Sequence, residues 1–247
     1  MAIAHDFEYF RPVSLSEALK IMTRFKRPAI LAGGTDLVCN MKEDIKDKKE
    51  GTHLHLPDAI IDIKAVKKTE LARLKKIEFK SGRLFIGSLV TFSELIESKT
   101  INSFFPLIAE TARNVASIGI RNRATLVGNI CSAVPCMDSG PLLRVYEATV
   151  FLKSARGERK LPVVKFFKGP RKTALKKGEI VTGIIIAAPD KKHAGCFIKQ
   201  KRLRGEDLAQ GSVAVIALPK NRWRIAFGSL GPMPIRAGML EKFLESR

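Results

Sequence analysis

The sequence has 247 residues and a net charge of +20, with 45% hydrophobic and 28% charged residues. This composition is typical of a globular protein with a substantial core, and no apolar run reaches the roughly 20 residues of a membrane helix. The first ten residues lack the basic and apolar regions of a signal peptide, so we expect a cytoplasmic protein without membrane insertion. The basic residues are dispersed and few aromatic residues lie among them, which argues against nucleic-acid binding.

The first half of the chain predicts alternating helices and strands. Ser14 and Glu17 form a capping-box pattern ahead of an apolar helical stripe. Gly33 and Gly34 follow a short strand and precede a helix, an arrangement that favours anion binding. The predicted elements are a helix that begins after Ser14 and is stopped by Pro28, a strand at 29–32, a helix from about 37, strands at 59–63 and 83–87, a short helix capped at 91–94, and a helix from 106 to 115.

The second half of the chain predicts a long irregular region followed by antiparallel strands. Residues 118–140 show almost no regular pattern, and we interpret them as a functional loop. The later predicted elements are a helix at 142–147, a strand at 148–152, a hairpin turn at 154–157, antiparallel strands at 179–187, 196–201, 212–218 and 222–227, and a helix at 237–246. The fold class is therefore α+β, with α/β lobes at about 1–56 and 57–170 and a C-terminal α+β domain at 171–247.

The cysteines and histidines do not predict a metal site or a catalytic group. No C-x-x-C pair occurs, and the spacing of Cys131 and Cys136 is unlike that of zinc or iron–sulfur ligands. We interpret the four cysteines as reduced and mostly buried thiols. His53 and His55 lie in a polar segment and are expected at the surface.

The first candidate loop reads Leu-Ala-Gly-Gly-Thr-Asp-Leu over residues 31–37. Glycines let the backbone approach a phosphate group, and the N–H groups and the Thr35 hydroxyl can then bind its oxygens. The loop is neither G-x-G-x-x-G nor a P-loop. In the alternative interpretation the glycines only turn the chain and Asp36 caps the next helix.

The second candidate loop offers a hydroxyl, a permissive backbone and an amide within five residues. These are Thr125, Gly128 and Asn129, and Asp138 follows as an acceptor for a sugar hydroxyl. Alternatively, Asn129 satisfies loop carbonyls and Asp138 caps the helix after it. Together, the two loops suggest a phosphate-bearing cofactor held between them.

Five segments resemble the FAD-binding (medium) subunit of the molybdenum hydroxylases, the family of carbon monoxide dehydrogenase medium subunits and the central domain of xanthine dehydrogenase. They are residues 32–37, 86–91, 123–130 with Asp138, 179–184 and 199–209. They occur in the family's order and cover nearly the whole chain. The resemblance implies a two-lobed PCMH-type FAD-binding domain over 1–170, followed by a C-terminal antiparallel sheet with a helix.

The resemblance also implies FAD contacts but no catalytic residue, because the flavin does the redox chemistry. The implied contacts are Leu31, Ala32, Gly33, Gly34, Thr35 and Asp36 around the pyrophosphate, Thr125, Gly128 and Asn129 from the other lobe with Asp138 nearby, Ala116 and Cys131 along the channel, Val181 on the adenine or flavin side, and Lys199 near the isoalloxazine.

The implied function is electron transfer from iron–sulfur clusters through FAD to an external acceptor. The implied partners are a molybdopterin-binding large subunit and a 2Fe-2S small subunit in a hetero-oligomer. Two alternatives are a stand-alone NAD(P)H-dependent flavin oxidoreductase of the same fold and a basic binding module without a cofactor.

Val127 stands where the family usually has glycine, and a β-branched residue is expected to disturb a loop with positive φ. Relatives commonly continue beyond residue 247, so we expect an incomplete C-terminal domain.

Overall fold

The N-terminal lobe is built on a three-stranded parallel sheet. The structure, a computed structural model, describes residue 3 and residues 5–43, 56–189 and 193–247. The strand order is β1, β3, β2. Its elements are β1 (Glu8–Phe10), α1 (Leu15–Arg24), β2 (Pro28–Leu31), α2 (Thr35–Glu43), β3 (Ala59–Asp62), a 3-10 turn (Ile63–Ala65) and α3 (Lys68–Leu74). His53 and His55 lie outside the described residues.

Helix α1 begins at the predicted cap, with one difference in detail. The Ser14 hydroxyl accepts a hydrogen bond from Glu17 N at 3.1 Å. The Glu17 carboxylate accepts from Val13 N at 2.8 Å, one residue before the expected backbone donor. The cap therefore satisfies two backbone N–H groups that have no partner within the helix. The predicted apolar stripe is buried, at Leu15, Ala18, Leu19 and Met22.

The central lobe contains a five-stranded antiparallel sheet with the order β4, β5, β10, β6, β7. Its strands are β4 (Ile77–Lys80), β5 (Arg83–Gly87), β6 (Thr149–Ser154), β7 (Gly157–Pro162) and β10 (Ile180–Ala187). Its helices are α4 (Phe92–Glu97), α5 (Lys99–Phe104), α6 (Pro106–Arg113), α7 (Ile118–Arg121), α8 (Leu126–Ser132), α9 (Ser139–Val145) and α10 (Val163–Phe166). A small hairpin follows, made of β8 (Phe167–Gly169) and β9 (Lys172–Thr173).

The placement of β10 corrects the sequence prediction, which grouped residues 179–187 with the C-terminal strands. The strand instead lies at the centre of the five-stranded sheet, between β5 and β6. Its run of buried residues suits a central strand covered on both faces, and its neighbours are far away in the sequence. The domain boundary at residue 170 stays a prediction, and this pairing favours a later boundary.

The prediction of an irregular loop over residues 118–140 was wrong. Helices α7 and α8 lie within this segment, and α9 begins at Ser139, three residues before the predicted start. The Ser117 and Thr125 side chains accept hydrogen bonds from backbone N–H groups at the starts of α7 and α8. Helices of four to seven residues are too short to show a clear helical period in the sequence.

The predicted C-terminal strands and final helix are confirmed, apart from the strand that became β10. The sheet is antiparallel, in the order β11, β12, β13, β14. Its elements are β11 (Ala194–Gln200), β12 (Gly211–Leu218), β13 (Arg222–Gly228), β14 (Ile235–Arg236) and α11 (Gly238–Glu245). No helix in the described ranges is long and apolar enough to cross a membrane.

Two large clusters of buried apolar side chains form most of the core. One extends from the central lobe to the inner face of the C-terminal sheet, where Phe197 and Ala214 join it. The other lies in the N-terminal lobe between α1 and the parallel sheet. The boundary between the two clusters leaves room for a cavity.

The cysteines are all free thiols, but the prediction that most are buried was wrong. Cys39 and Cys196 are exposed, and Cys131 and Cys136 are half-buried. Cys196 lies on β11, which is an edge strand and therefore leaves its side chain uncovered on one flank.

Candidate functional site

A cavity of about 340 Å³ lies between the N-terminal and central lobes. This volume falls within the range of small-molecule binding sites. Ten of the fourteen predicted site residues line it. These are Ala32, Gly33, Gly34, Thr35, Asp36, Thr125, Gly128, Asn129, Cys131 and Val181, while Leu31, Ala116, Asp138 and Lys199 lie outside the lining.

The first glycine turn brings its backbone against the opposite lobe. Gly34 has φ +77°, a conformation that favours glycine. A Cβ on Gly33 would lie 2.1 Å from the Arg123 carbonyl oxygen, so only glycine fits there without movement of the backbone. The turn is therefore in direct contact with the segment that leads into α8.

Helix α2 begins at this turn and presents its first N–H groups next to the cavity. Its first backbone hydrogen bond runs from Val38 N to Gly34 O at 2.9 Å. The N–H groups of Thr35 and Asp36 precede this bond and have no acceptor within the helix. Asp36 lies within the first turn of α2, so it is not the residue that precedes and caps this helix. Its carboxylate accepts a hydrogen bond from Asn40 Nδ2 at 3.3 Å. This end of α2 can bind an anion through backbone donors.

Helix α8 forms the facing wall. The Thr125 hydroxyl caps it by accepting from Gly128 N at 2.9 Å. The Asn129 Oδ1 atom accepts from the backbone N and the hydroxyl of Ser139, which ties α8 to α9. The Asn129 side chain therefore does not satisfy loop carbonyls, and in the described part of the chain its Nδ2 group has no partner. That amide can serve as a donor to a ligand in the cavity.

Val127 does not create the backbone problem that the sequence predicted. It lies in the first turn of α8, and its φ is not among the positive values in the described chain. The side chain is 3% exposed and packs in the core while also bordering the cavity. Helical φ is compatible with valine, so the expected disturbance of a positive-φ loop was wrong. Positive φ occurs nearby at Ala116 and Ala133 instead.

Ser88 is a site residue that the sequence interpretation missed. It lines the cavity and is 2% exposed, and its hydroxyl has no hydrogen-bond partner among the described residues. A buried hydroxyl without a partner is costly, and a ligand that accepts or donates a hydrogen bond would remove this cost. Ser88 lies in the segment 86–91 that carried part of the family resemblance, but nothing in the local pattern distinguishes its hydroxyl from a structural one.

Much of the cavity lining outside the two loops is apolar. It includes side chains from α1, β2, the 3-10 turn and β10. They are Met22, Ile30, Ile63, Ile180 and Val181. An apolar chamber with one free hydroxyl suits a flat heteroaromatic group, whereas the glycine turn and the α2 N-terminus suit a phosphate. The lining residues therefore fit a nucleotide cofactor.

Cys131 contributes an apolar wall to the cavity rather than a reactive group. Burial raises the pKa of its thiol to about 12. The thiol is consequently protonated at neutral pH and is neither a nucleophile nor a metal ligand in this state.

Asp138 and Lys199 form a buried ion pair away from the cavity lining. Lys199 Nζ lies 2.8 Å from Asp138 Oδ2 and also donates to Asn114 O at 3.1 Å. Burial raises the pKa of Asp138, although the Lys199 ammonium opposes the shift. Asp138 makes no capping hydrogen bond to α9, so the alternative role as a helix cap was wrong. The predicted approach of Lys199 to an isoalloxazine stays a prediction.

Known proteins have sequences related to that of this chain. Residues 5–189 match the family model described as the FAD binding domain in molybdopterin dehydrogenase. The nicotinate dehydrogenase FAD-subunit of Eubacterium barkeri is 36% identical over 199 residues, covering 78% of this chain and 62% of that subunit. Caffeine dehydrogenase subunit beta of Pseudomonas sp. (strain CBB1) is 32% identical over 247 residues, covering 98% of this chain and 79% of that subunit.

A solved structure of a related protein has a similar fold. Carbon monoxide dehydrogenase from Hydrogenophaga pseudoflava, in a form that lacks the Mo-pyranopterin moiety, matches with a TM-score of 0.89 and 28% identity. The match covers 100% of this chain and 82% of the compared chain. The predicted fold class, family resemblance and FAD cofactor are thereby confirmed. The chain belongs to the family of FAD-binding domains found in molybdopterin dehydrogenases.

Proposed function

We propose that this chain is the FAD-binding, electron-transferring subunit of a molybdopterin-dependent dehydrogenase of the carbon monoxide, aldehyde or xanthine dehydrogenase type. One observation carries the proposal. The N-terminal turn of α2, the start of α8 and the unpartnered Ser88 hydroxyl all border one cavity, and together they offer backbone donors, an amide and a hydroxyl to a nucleotide.

We assign different cavity residues to different parts of the cofactor. The N–H groups of residues 33–36 would bind the pyrophosphate, because they combine glycine flexibility with a helix N-terminus. Asn129 Nδ2 would donate from the opposite wall. Ser88 would hydrogen-bond the base in the apolar chamber. Four further proposed contacts, Leu31, Ala116, Asp138 and Lys199, require the cofactor to extend past the cavity lining.

The redox chemistry would be that of FAD, through which electrons from iron–sulfur clusters of a partner subunit reach an external acceptor. The residues of this chain bind the cofactor, orient it and keep water from its buried part. This role needs no nucleophile or general base. A thiol with a pKa raised to about 12, such as that of Cys131, suits this role because little reactive thiolate forms at neutral pH.

We further propose cytoplasmic partners, namely a molybdopterin-binding large subunit and a 2Fe-2S small subunit. Two of the related proteins are named as subunits, which supports assembly with other chains. The net charge of +20 suits acidic partner surfaces, since opposite charges steer association and fix its register.

The test is to purify the chain with added FAD and remove free flavin by gel filtration. We expect a yellow protein with about one FAD per chain. A colourless protein without bound flavin would contradict the proposal and favour the cofactor-free binding module. Bound FAD that NAD(P)H alone reduces rapidly would favour the stand-alone oxidoreductase. Co-purification with molybdenum and iron from the native source would support the subunit role.

A further inference from the structure

We propose that Lys64 is a positioning residue that orients the phosphate-binding turn from behind, so that the N–H groups of Ala32 and Gly33 point at the cofactor pyrophosphate. The inference rests on the proposed function, because it concerns how this chain binds FAD. Lys64 was not among the predicted site residues, and it does not line the 340 Å³ cavity.

The Lys64 ammonium holds two successive carbonyl groups of the turn. Its Nζ atom lies 3.0 Å from Ala32 O and 3.4 Å from Leu31 O. It also forms an ion pair with Asp62 Oδ1 at 2.7 Å. An ammonium has three N–H donors, and these three acceptors match that number.

The direction of the carbonyls fixes the direction of the next N–H groups. The described chain contains no cis peptide bond, so the C=O and N–H of each peptide group point in opposite directions. The carbonyl of Leu31 opposes the N–H of Ala32, and the carbonyl of Ala32 opposes the N–H of Gly33. Because both carbonyls point at Lys64, both N–H groups must point away from it.

The two sides of this backbone face different cavities. Ala32 and Gly33 line both the 340 Å³ cavity and a smaller one of about 180 Å³. Lys64 lines only the smaller cavity, where Lys75 and Arg123 also lie. Since Lys64 lies on the side of the smaller cavity, we infer that the N–H groups turned away from it lie towards the larger cavity. Two adjacent donors in this orientation suit a doubly charged pyrophosphate.

Neighbouring groups hold Lys64 in place. Asp62 is largely buried at the end of β3, and its Oδ2 atom accepts from Tyr9 Oη at 2.8 Å. Its Oδ1 atom also accepts from Lys64 N at 2.9 Å. Burial alone would raise the pKa of Asp62, but the hydrogen bonds from Lys64 and Tyr9 outweigh it and lower the pKa. Asp62 is therefore ionised at neutral pH and anchors the ammonium.

The experiment compares flavin binding by Lys64→Met with wild type and with Lys68→Met. Lys68 is exposed in the same segment and is not among the residues bordering either cavity, so Lys68→Met controls for the loss of one positive charge. Dissociation constants are measured by fluorescence titration for FAD and for riboflavin, which lacks the pyrophosphate. We expect Lys64→Met to weaken FAD binding about tenfold, or ~1.4 kcal/mol, with riboflavin binding unchanged. The melting temperature should fall modestly, because the largely buried Asp62 loses its ion-pair partner.

A third variant separates positioning from simple charge attraction. Asp62→Asn removes a negative charge near the turn but loosens the anchor of Lys64. Positioning predicts weaker FAD binding in Asp62→Asn, whereas attraction alone predicts equal or tighter binding. Equal FAD affinity in Lys64→Met and Lys68→Met would overturn the inference. Unchanged or tighter FAD binding in Asp62→Asn would also overturn it, and so would a parallel loss of riboflavin binding in Lys64→Met. A wild-type protein that binds no FAD would instead overturn the proposed function, and the inference would fall with it.

Discussion

Replacing Gly33 with alanine would place a methyl group where the backbones of the two lobes meet. Its Cβ would lie 2.1 Å from the Arg123 carbonyl oxygen, 2.8 Å from the Arg123 carbonyl carbon and 3.0 Å from the Ala124 Cα. Carbon atoms in ordinary contact are about 3.5 Å apart or more, so the two segments must separate by roughly 1 Å. Rigid backbone atoms cannot rotate away as a flexible side chain could.

Gly33→Ala is expected to lower both the stability of the chain and its affinity for FAD. Overpacking of this kind costs about 1–3 kcal/mol in the free energy of unfolding. The same movement shifts the donors of the turn relative to Asn129, and we expect FAD affinity to fall by at least about tenfold, or ~1.4 kcal/mol. Urea unfolding measures the first quantity and fluorescence titration with FAD measures the second.

Gly119→Ala is the matched control. Gly119 lies in α7, and a Cβ there would meet no atom within 4 Å. Alanine is favoured over glycine in a helix, so we expect equal or slightly higher stability and unchanged FAD affinity. Wild-type FAD affinity in Gly33→Ala would refute the reasoning, because it would mean that the close approach of the two segments does not shape the binding site.

Three further predictions concern buried polar groups. Ser88→Ala should weaken FAD binding by about 1 kcal/mol, measured by titration, without lowering the stability of the cofactor-free chain, because the hydroxyl has no protein partner. Lys199→Met should cost about 3–5 kcal/mol in urea unfolding. Burial raises the pKa of Asp138, so this loss should be smallest in acid and should grow as the pH rises through that pKa. Cys131 should react with iodoacetamide far more slowly than the exposed Cys196, as followed by peptide mass spectrometry.

Each of these predictions has a clear contrary result. Equal loss of stability and affinity in Ser88→Ala would assign the hydroxyl a structural role. If Lys199→Met lowers the free energy of unfolding by the same amount at every pH, the ionisation of Asp138 does not determine the loss. Comparable alkylation of Cys131 and Cys196 would show that the cavity wall is open to solvent reagents.

Elements with a strong local signal could be predicted from the sequence. The α1 cap at Ser14 and its apolar stripe are local features, and both are present in the structure. Strand β12 was equally readable, because residues 213–218 are a short apolar run rich in β-branched residues. The glycine turn at residues 33–34 was predicted from the same kind of local chemistry.

Features that depend on distant contacts could not be predicted in this way. The partners of β10 are separated from it by many residues, so its apolar run could indicate a buried strand but not the sheet that contains it. The free hydroxyl of Ser88 becomes visible only when its surroundings are known. Lys64 belongs to a lysine-rich sequence, and its contacts with two carbonyl groups distinguish it from its neighbours.

Competition between FAD and ADP shows whether this cavity binds FAD through its pyrophosphate. ADP carries the adenine and the pyrophosphate but no flavin, while riboflavin carries the flavin alone. We predict that FAD binds at about one molecule per chain, that ADP displaces it, and that Gly33→Ala weakens FAD and ADP by the same factor. Stoichiometric FAD binding that ADP does not displace, or the absence of FAD binding, would contradict the account.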